Sequence, residues 1–185
     1  MKKLIFTLLL FVFAFISPAQ EWKKEQLSKA NTAADIKYLT EIEKETILYV
    51  NLARLYPKDF IRNELSSTSH NKYEGSLIKT LKSMNSLNPM VFDETLYEFA
   101  KCYSKEMGDK GTVGHNRKKC KNGNFAECCS YGMTTGREVV LQLLIDEDVP
   151  SLGHRKICLS ERFSKIGVSV HTHKAYSTCA VLDIY

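Results

Sequence analysis

The sequence is short of most features that would assign a chemistry at once. No C-x-x-C pair occurs among its six cysteines, so a zinc cage of the usual ligand spacing is a poor reading. No nucleophile-elbow pattern surrounds Ser130 or Ser151, which removes the main signal of a serine hydrolase. There is no internal repeat, which excludes a repeat array. Net charge is small. The formal charge of +5 falls to +3 once Lys2 and Lys3 leave with the N-terminal segment, too mild and too evenly spread for a nucleic-acid partner. The only basic cluster, "RKKCK" at 117–121, reads as a solvated loop. The only long apolar run, Leu4 to Ile16, is shorter than the about 20 residues that cross a bilayer.

That run has another reading. Lys2 and Lys3 precede it and the small residues Ser17-Pro18-Ala19 close it, the pattern of a secretory signal peptide over residues 1–19. No cysteine stands at the exit, so a lipid anchor is not indicated. The expected product is a secreted chain, extracellular or periplasmic, with no integral membrane segment after cleavage. Residues 20–38 read as a polar leader with a loose helix, and residues 39–185 as one domain long enough for a real core. All six cysteines (Cys102, Cys120, Cys128, Cys129, Cys158 and Cys179) fall in the exported part. An even number in an oxidising compartment suggests that all six staple the fold, and 15 pairings stay open. Cys128 and Cys129 are adjacent and are expected to take different partners.

From Tyr38 onward the periodicity becomes informative. Leu39, Ile42, Ile47, Val50, Leu52 and Leu55 share a stripe, predicting a helix over 40–55 that Pro57 ends. A polar loop at 66–75 leads to a short helix at 77–84. Asp93 is placed to cap a longer helix, with Gly108 or Gly111 as its stop. Residues 125–132 pass through a strand. Thr135 and Glu138 stand in capping-box register before a helix at about 138–148, which Pro150 breaks. "HRKICLSERF" offers a short helical turn. The end, "KIGVSVHTHKAYSTCAVLDIY", alternates and is rich in β-branched residues, the pattern of a hairpin turning near Lys174-Ala175. Helices followed by a C-terminal antiparallel sheet make an α+β domain.

Among the histidines, His70 lies in the polar loop and reads as solvated. His171 and His173 alternate on a strand and point to one face. They could share a metal, but an exposed hairpin edge is the simpler reading. His115 and His154 differ, because each follows a glycine in a loop just beyond a long helix. Glu127 lies in an otherwise apolar stretch, where a carboxylate is costly unless paired. Glu147 ends a helix, where the macrodipole disfavours a negative charge and so invites a partner. These four residues form either a common site or two separate histidine–carboxylate pairs that tie loops down.

The ordered motifs resemble the CAP superfamily, which groups cysteine-rich secretory proteins, plant pathogenesis-related proteins and insect venom allergens. "NLARLYPKDF" is similar to the family's Asn-x-x-Arg helix, and "PMVFDETLYEFAKCYSKEM" to its second helix. "VGHN" matches the first signature histidine, "AECCSYG" the Gly-Glu-Asn segment, and "VVLQLLIDEDVPSLGHRKI" the third helix with its Gly-His-Arg. "KIGVSV…AVLDIY" resembles the closing strands, so the resemblance runs over about 39–185. Cys128 stands at the family's Asn and Ala126 at its Gly; Leu144 stands where the third helix often has tryptophan. The second acid falls best on Glu147, with Asp146 and Asp148 flanking it.

The resemblance implies a three-layer α/β/α sandwich with a central antiparallel sheet and a cleft formed by His115, Glu127, Glu147 and His154. It implies that His115 and His154 hold zinc or another divalent metal weakly. A binding module for a metal, a lipid or sterol, or an extracellular protein is the leading functional expectation. The alternative is a metal-assisted peptidase or esterase using Glu127 and Glu147, for which no third metal ligand is evident.

Overall fold

The computed structural model describes residues 21–65 and 71–185. The signal-peptide reading of residues 1–19 and the reading of His70 lie outside the described residues. Seven helices and four strands follow one another in the described chain. Helix α1 (Lys24–Ala30) precedes α2 (Glu41–Leu55), which opens on Thr40 with the reciprocal Thr40–Glu43 capping box. Pro57 ends α2 and also starts α3 (Pro57–Glu64) at its first position, where a missing N–H costs nothing. Helix α4 (Lys72–Ser83) starts earlier than its apolar residues suggest, because Asn71 caps it. Strand β1 (Val91–Phe92) leads into α5 (Glu94–Lys110), capped by Asp93 and stopped by Gly111 in the left-handed region. Then come β2 (Ala126–Tyr131), α6 (Gly136–Ile145), α7 (Gly153–Cys158), β3 (Lys165–His173) and β4 (Ser177–Ile184).

The sheet order is β1-β3-β4-β2. β3, β4 and β2 pair antiparallel and form its body, while the two-residue β1 joins the edge parallel to β3. The fold is α+β with a mixed four-stranded sheet. Alternation along each strand divides its side chains between two layers. Ile166, Val168, Ala180, Leu182, Ile184 and Cys128 face α2, α6 and α7 in the larger core, whereas Val181, Cys179 and Cys129 face α5 in a smaller one. Helix α5 lies so close to β3 that a Cβ on Gly167 would come within 2.1 Å of the Tyr97 nitrogen.

Buried polar groups lock the helical layer together. Asn51 is fully buried and hydrogen-bonded at both ends of its amide, Nδ2 sharing its two hydrogens among the Ala30 carbonyl, Thr32 Oγ1 and the Met90 carbonyl and Oδ1 accepting from Met90 N. Arg54, three residues on, donates only to backbone carbonyls, those of Asn88, Cys158, Ser160 and Phe163. The Asn-x-x-Arg motif therefore ties α1 and the chain after α7 to α2. The segment read as a polar leader is docked rather than loose: Ala30 is buried, and the Trp22 ring packs against Tyr56 and Phe60.

The cysteine expectation needs correction. Cys102 and Cys120 form a disulfide, but Cys128, Cys129, Cys158 and Cys179 are buried free thiols. Adjacent Cys128 and Cys129 point to opposite faces of β2, so they have different neighbours as expected, but neither is bonded. The Cys128 thiol lies against Cys158, and that contact together with burial pushes its pKa well up. The hairpin histidines also differ from expectation. His173 is buried, with Nε2 on the Thr112 carbonyl and Nδ1 accepting from Ala175 N and Tyr176 N, while His171 reaches Asp109 instead.

Candidate functional site: a two-histidine cleft over the edge strand

Strand β2 is an edge of the sheet, and the two helical layers approach each other beyond it. His115 comes from the loop that follows α5, on one layer; His154 comes from α7, on the other. Their ring centroids are 6.2 Å apart.

The His115 loop has little secondary structure and is held by side chains. Its glycine, Gly114, has φ 93° and sits between two tyrosine hydroxyls: Tyr103 donates to its carbonyl and its N–H donates to Tyr131, each at 2.8 Å. Beyond His115, the buried Glu106 carboxylate accepts the backbone N–H groups of Lys118, Lys119 and Cys120, and the disulfide fastens Cys120 back to α5. Burial pushes the Glu106 pKa up, but Lys110 and those N–H groups outweigh it and bring it down to about 2.

Within this frame His115 Nδ1 meets Glu127 Oε1 at 2.7 Å. The hydrogen bond His115 makes to the Glu127 carboxylate raises the His115 pKa, with burial opposing it. The other Glu127 oxygen is held by Arg117, whose Nε donates at 2.8 Å and whose Nη2 also contacts it. The Arg117 guanidinium also lies over the Tyr103 and Phe125 rings and reaches Asp183 on β4. The expectation that 117–121 is only a solvated loop thus fails at Arg117, whose side chain is 2% exposed. Burial pushes the Glu127 pKa up, yet the His115 hydrogen bond and the Arg117 charge outweigh it and leave the carboxyl below its ordinary value.

On the opposite wall, α6 ends at Asp146, which adopts the left-handed conformation with φ 56°. Its buried carboxylate takes His154 Nδ1 at 2.7 Å on one oxygen and the Arg155 N–H on the other. Arg155 turns back to cap α6, donating to the carbonyls of Leu144 and Ile145 as well as to Ser76 Oγ and the Tyr73 carbonyl. A guanidinium at a helix C-terminus suits both the free carbonyls and the macrodipole. The Gly-His-Arg motif thus has a division of labour: the arginine builds the wall and the histidine lines it.

The acid that orients His154 is Asp146. Glu147, the residue expected there, lies at the cavity rim with its carboxylate 3.4 Å from Asn71 Nδ2. Asp146, one residue earlier, is where the chain turns inward to His154. Sequence reasoning also missed Cys129. Its thiol lies 3.7 Å from His115 Nδ1, and it lines, with Tyr131, Asp146, Glu147 and His154, a cavity of about 390 Å³. The ladder of β2 is finished on this side by Gln142, which accepts from Ser130 Oγ and Tyr131 N and donates to the Tyr131 carbonyl.

The sequence model of the cysteine-rich secretory protein family, CAP, matches residues 49–184. The chain belongs to the CAP family. The matched span contains both walls of the cleft and all four strands. Among solved structures, the CAP domain is similar to an outer surface protein from Borrelia burgdorferi. The two share 22% identity over 60% of this chain and 87% of that one, with a TM-score of 0.43. No curated protein sequence matches the chain.

Proposed function

We propose that this CAP domain is a secreted binding module whose cleft holds a divalent metal between His115 and His154, without turning a substrate over. One observation carries the reading. Two imidazoles from opposite layers face each other at 6.2 Å, each with Nδ1 tethered to a carboxylate that is itself largely buried. Such tethering fixes ring orientation and tautomer, leaving Nε2 for a ligand. Among the described residues, neither Nε2 has a protein hydrogen-bond partner. The donor set therefore fits zinc or a similar ion, and two protein ligands leave positions open for water or for a group presented by a partner. A bound ion would supply Lewis-acid attraction for a carboxylate, phosphate or carbonyl oxygen.

The carboxylates do not favour hydrolysis. Glu127 is spent on Arg117 and His115, and its lowered pKa makes it a weak base. Glu147 stands at the rim. Secretion is supported by the signal-peptide pattern of residues 1–19 and by the Cys102–Cys120 disulfide, which suits an oxidising compartment. No helix among the described residues is long and apolar enough to cross a membrane.

Calorimetric titration of zinc into the wild-type chain and into His115→Ala/His154→Ala tests the reading. Binding near one equivalent that the double variant loses is the expected result; equal affinity in both proteins would overturn it.

A further inference from the structure

The His115 ring also belongs to a second set of donors. His115 Nδ1, a Glu127 carboxylate oxygen and Cys129 Sγ all fall within 4.8 Å of one another. We infer that these three residues form a thiolate-containing site for a thiophilic divalent cation, an alternative to the pair of Nε2 atoms that uses the other His115 tautomer and does not need His154.

The distances suit this assignment. Zinc bonds of about 2.0–2.1 Å to nitrogen and 2.3 Å to sulfur place the two ligand atoms of a tetrahedral site about 3.6 Å apart. The His115 Nδ1 to Cys129 Sγ separation is 3.7 Å. The His115–Glu127 contact, 2.7 Å as a hydrogen bond, has to open by roughly half an ångström, because both atoms would then be ligands rather than donor and acceptor. Arg117 holds Glu127 by Oε2 and so leaves Oε1 directed at His115. Of the three, Cys129 also lines the cavity of about 390 Å³, and His115 is half exposed, so the site has access to solvent.

The protons balance. The Cys129 thiol loses its proton to solvent as the metal–sulfur bond forms. The His115 proton moves from Nδ1 to the exposed Nε2, so the ring stays neutral and its Nδ1 lone pair becomes the ligand. One proton is released per cation bound. A set of one sulfur, one imidazole nitrogen and one carboxylate oxygen suits zinc, cadmium or cobalt and discriminates against magnesium and calcium, which take oxygen ligands.

This inference rests on the reading of the cleft as metal-binding but gives it a different ligand set, since a neutral His115 offers one nitrogen at a time, and the two ligand sets can fail separately. Cobalt(II) as the sole probe separates the two, because a cobalt–thiolate bond gives a charge-transfer absorption band in the near ultraviolet that imidazole and carboxylate ligands do not. Wild-type protein with its disulfide intact should develop this band, saturating at one equivalent. His154→Ala should keep it, while Cys129→Ser and His115→Ala should both lose it. If Cys129→Ser does not fold, the more exposed His115→Ala decides alone. Cobalt binding without the band, lost in His154→Ala, would leave the two-histidine reading standing and overturn this one. A band that persists in a folded Cys129→Ser would also overturn it, since another thiol would be the ligand. No cobalt binding at all would remove both.

Discussion

Arg117 Nη2 lies 2.8 Å from both carboxylate oxygens of Asp183, at the foot of the candidate site and almost out of reach of solvent. The same guanidinium holds Glu127, so one cation serves two carboxylates from neighbouring strands, β2 and β4, paired in register as Glu127 and Asp183. Replacing it with an apolar side chain of similar length leaves both acids buried without a counter-charge.

Arg117→Met should therefore cost about 3–5 kcal/mol of folding stability, the range for removing one partner of a buried ion pair. The loss should depend on pH. Burial raises the Asp183 pKa to about 7, against the pull of Arg117. A carboxyl raised above its unfolded value of 3.8 favours folding fully below that value, and the benefit fades as pH rises through about 7. Without Arg117 both carboxyls ionise at greater cost, so the variant should lose most above pH 7 and least near pH 4. Urea denaturation of both proteins across that range measures it.

Glu106 has the opposite sign. Its pKa is lowered to about 2 from 4.5, so the stability it contributes is fully present above about pH 4.5 and is lost as pH falls towards 2. Glu106→Gln should be less stable than wild type at pH 6, with the gap closing steadily below pH 4.5. Because Glu106 binds the N–H groups of Lys118, Lys119 and Cys120, the variant should also speed amide exchange in residues 118–120. Stability curves and hydrogen exchange at pH 6 and pH 3 check both outcomes.

Local signals in the chain are enough for most of the elements. Thr40 with Glu43, Asp93, and Thr135 with Glu138 each mark a helix start through groups three residues apart, and the capping bonds form between those residues. The alternation after Lys165 is likewise local, and it becomes the β3–β4 hairpin. What cannot be read locally depends on distant partners. Arg117 looks like one of several loop cations because Asp183, which buries it, lies 66 residues away. The acidic run 146–148 offers three carboxylates, and periodicity does not choose among them. The choice depends on Asp146 adopting a left-handed turn that points its carboxylate at His154. An even cysteine count suggests staples throughout, but only Cys102 and Cys120 are brought together as a disulfide, and which thiols meet is set by the tertiary fold.

Asp146 and Glu147 give a paired test of which acid serves the site. Asp146→Asn removes the carboxylate that orients His154 and should weaken metal binding by about 10–100-fold, the usual effect of losing a partner behind a metal-ligating histidine. Glu147→Gln alters only a rim contact with Asn71 and should leave affinity within twofold. Zinc titration of the two variants side by side makes the comparison; a larger effect at Glu147 would return the second acid to that position.

Two glycines should respond differently to the same added methyl group. A Cβ on Gly136 would come 2.3 Å from Thr46 N and 2.6 Å from the Glu45 carbonyl carbon, so α2 and α6 would have to separate. Those are backbone atoms and cannot swing aside. Gly136→Ala should cost at least about 1–3 kcal/mol, the range for overpacking a filled interface. Gly153 starts α7 with only Ser151 Oγ near, at 3.4 Å, and its φ is not positive. Gly153→Ala should therefore stay within about 0.5 kcal/mol of wild type, a typical surface value. Urea midpoints at unchanged slope measure both. The pair also bears on the Gly-His motif. If Gly153→Ala leaves stability and zinc affinity intact, the glycine before His154 is not needed for the site, and the positive φ values of that wall belong to Asp146, Asp148 and Leu152 instead.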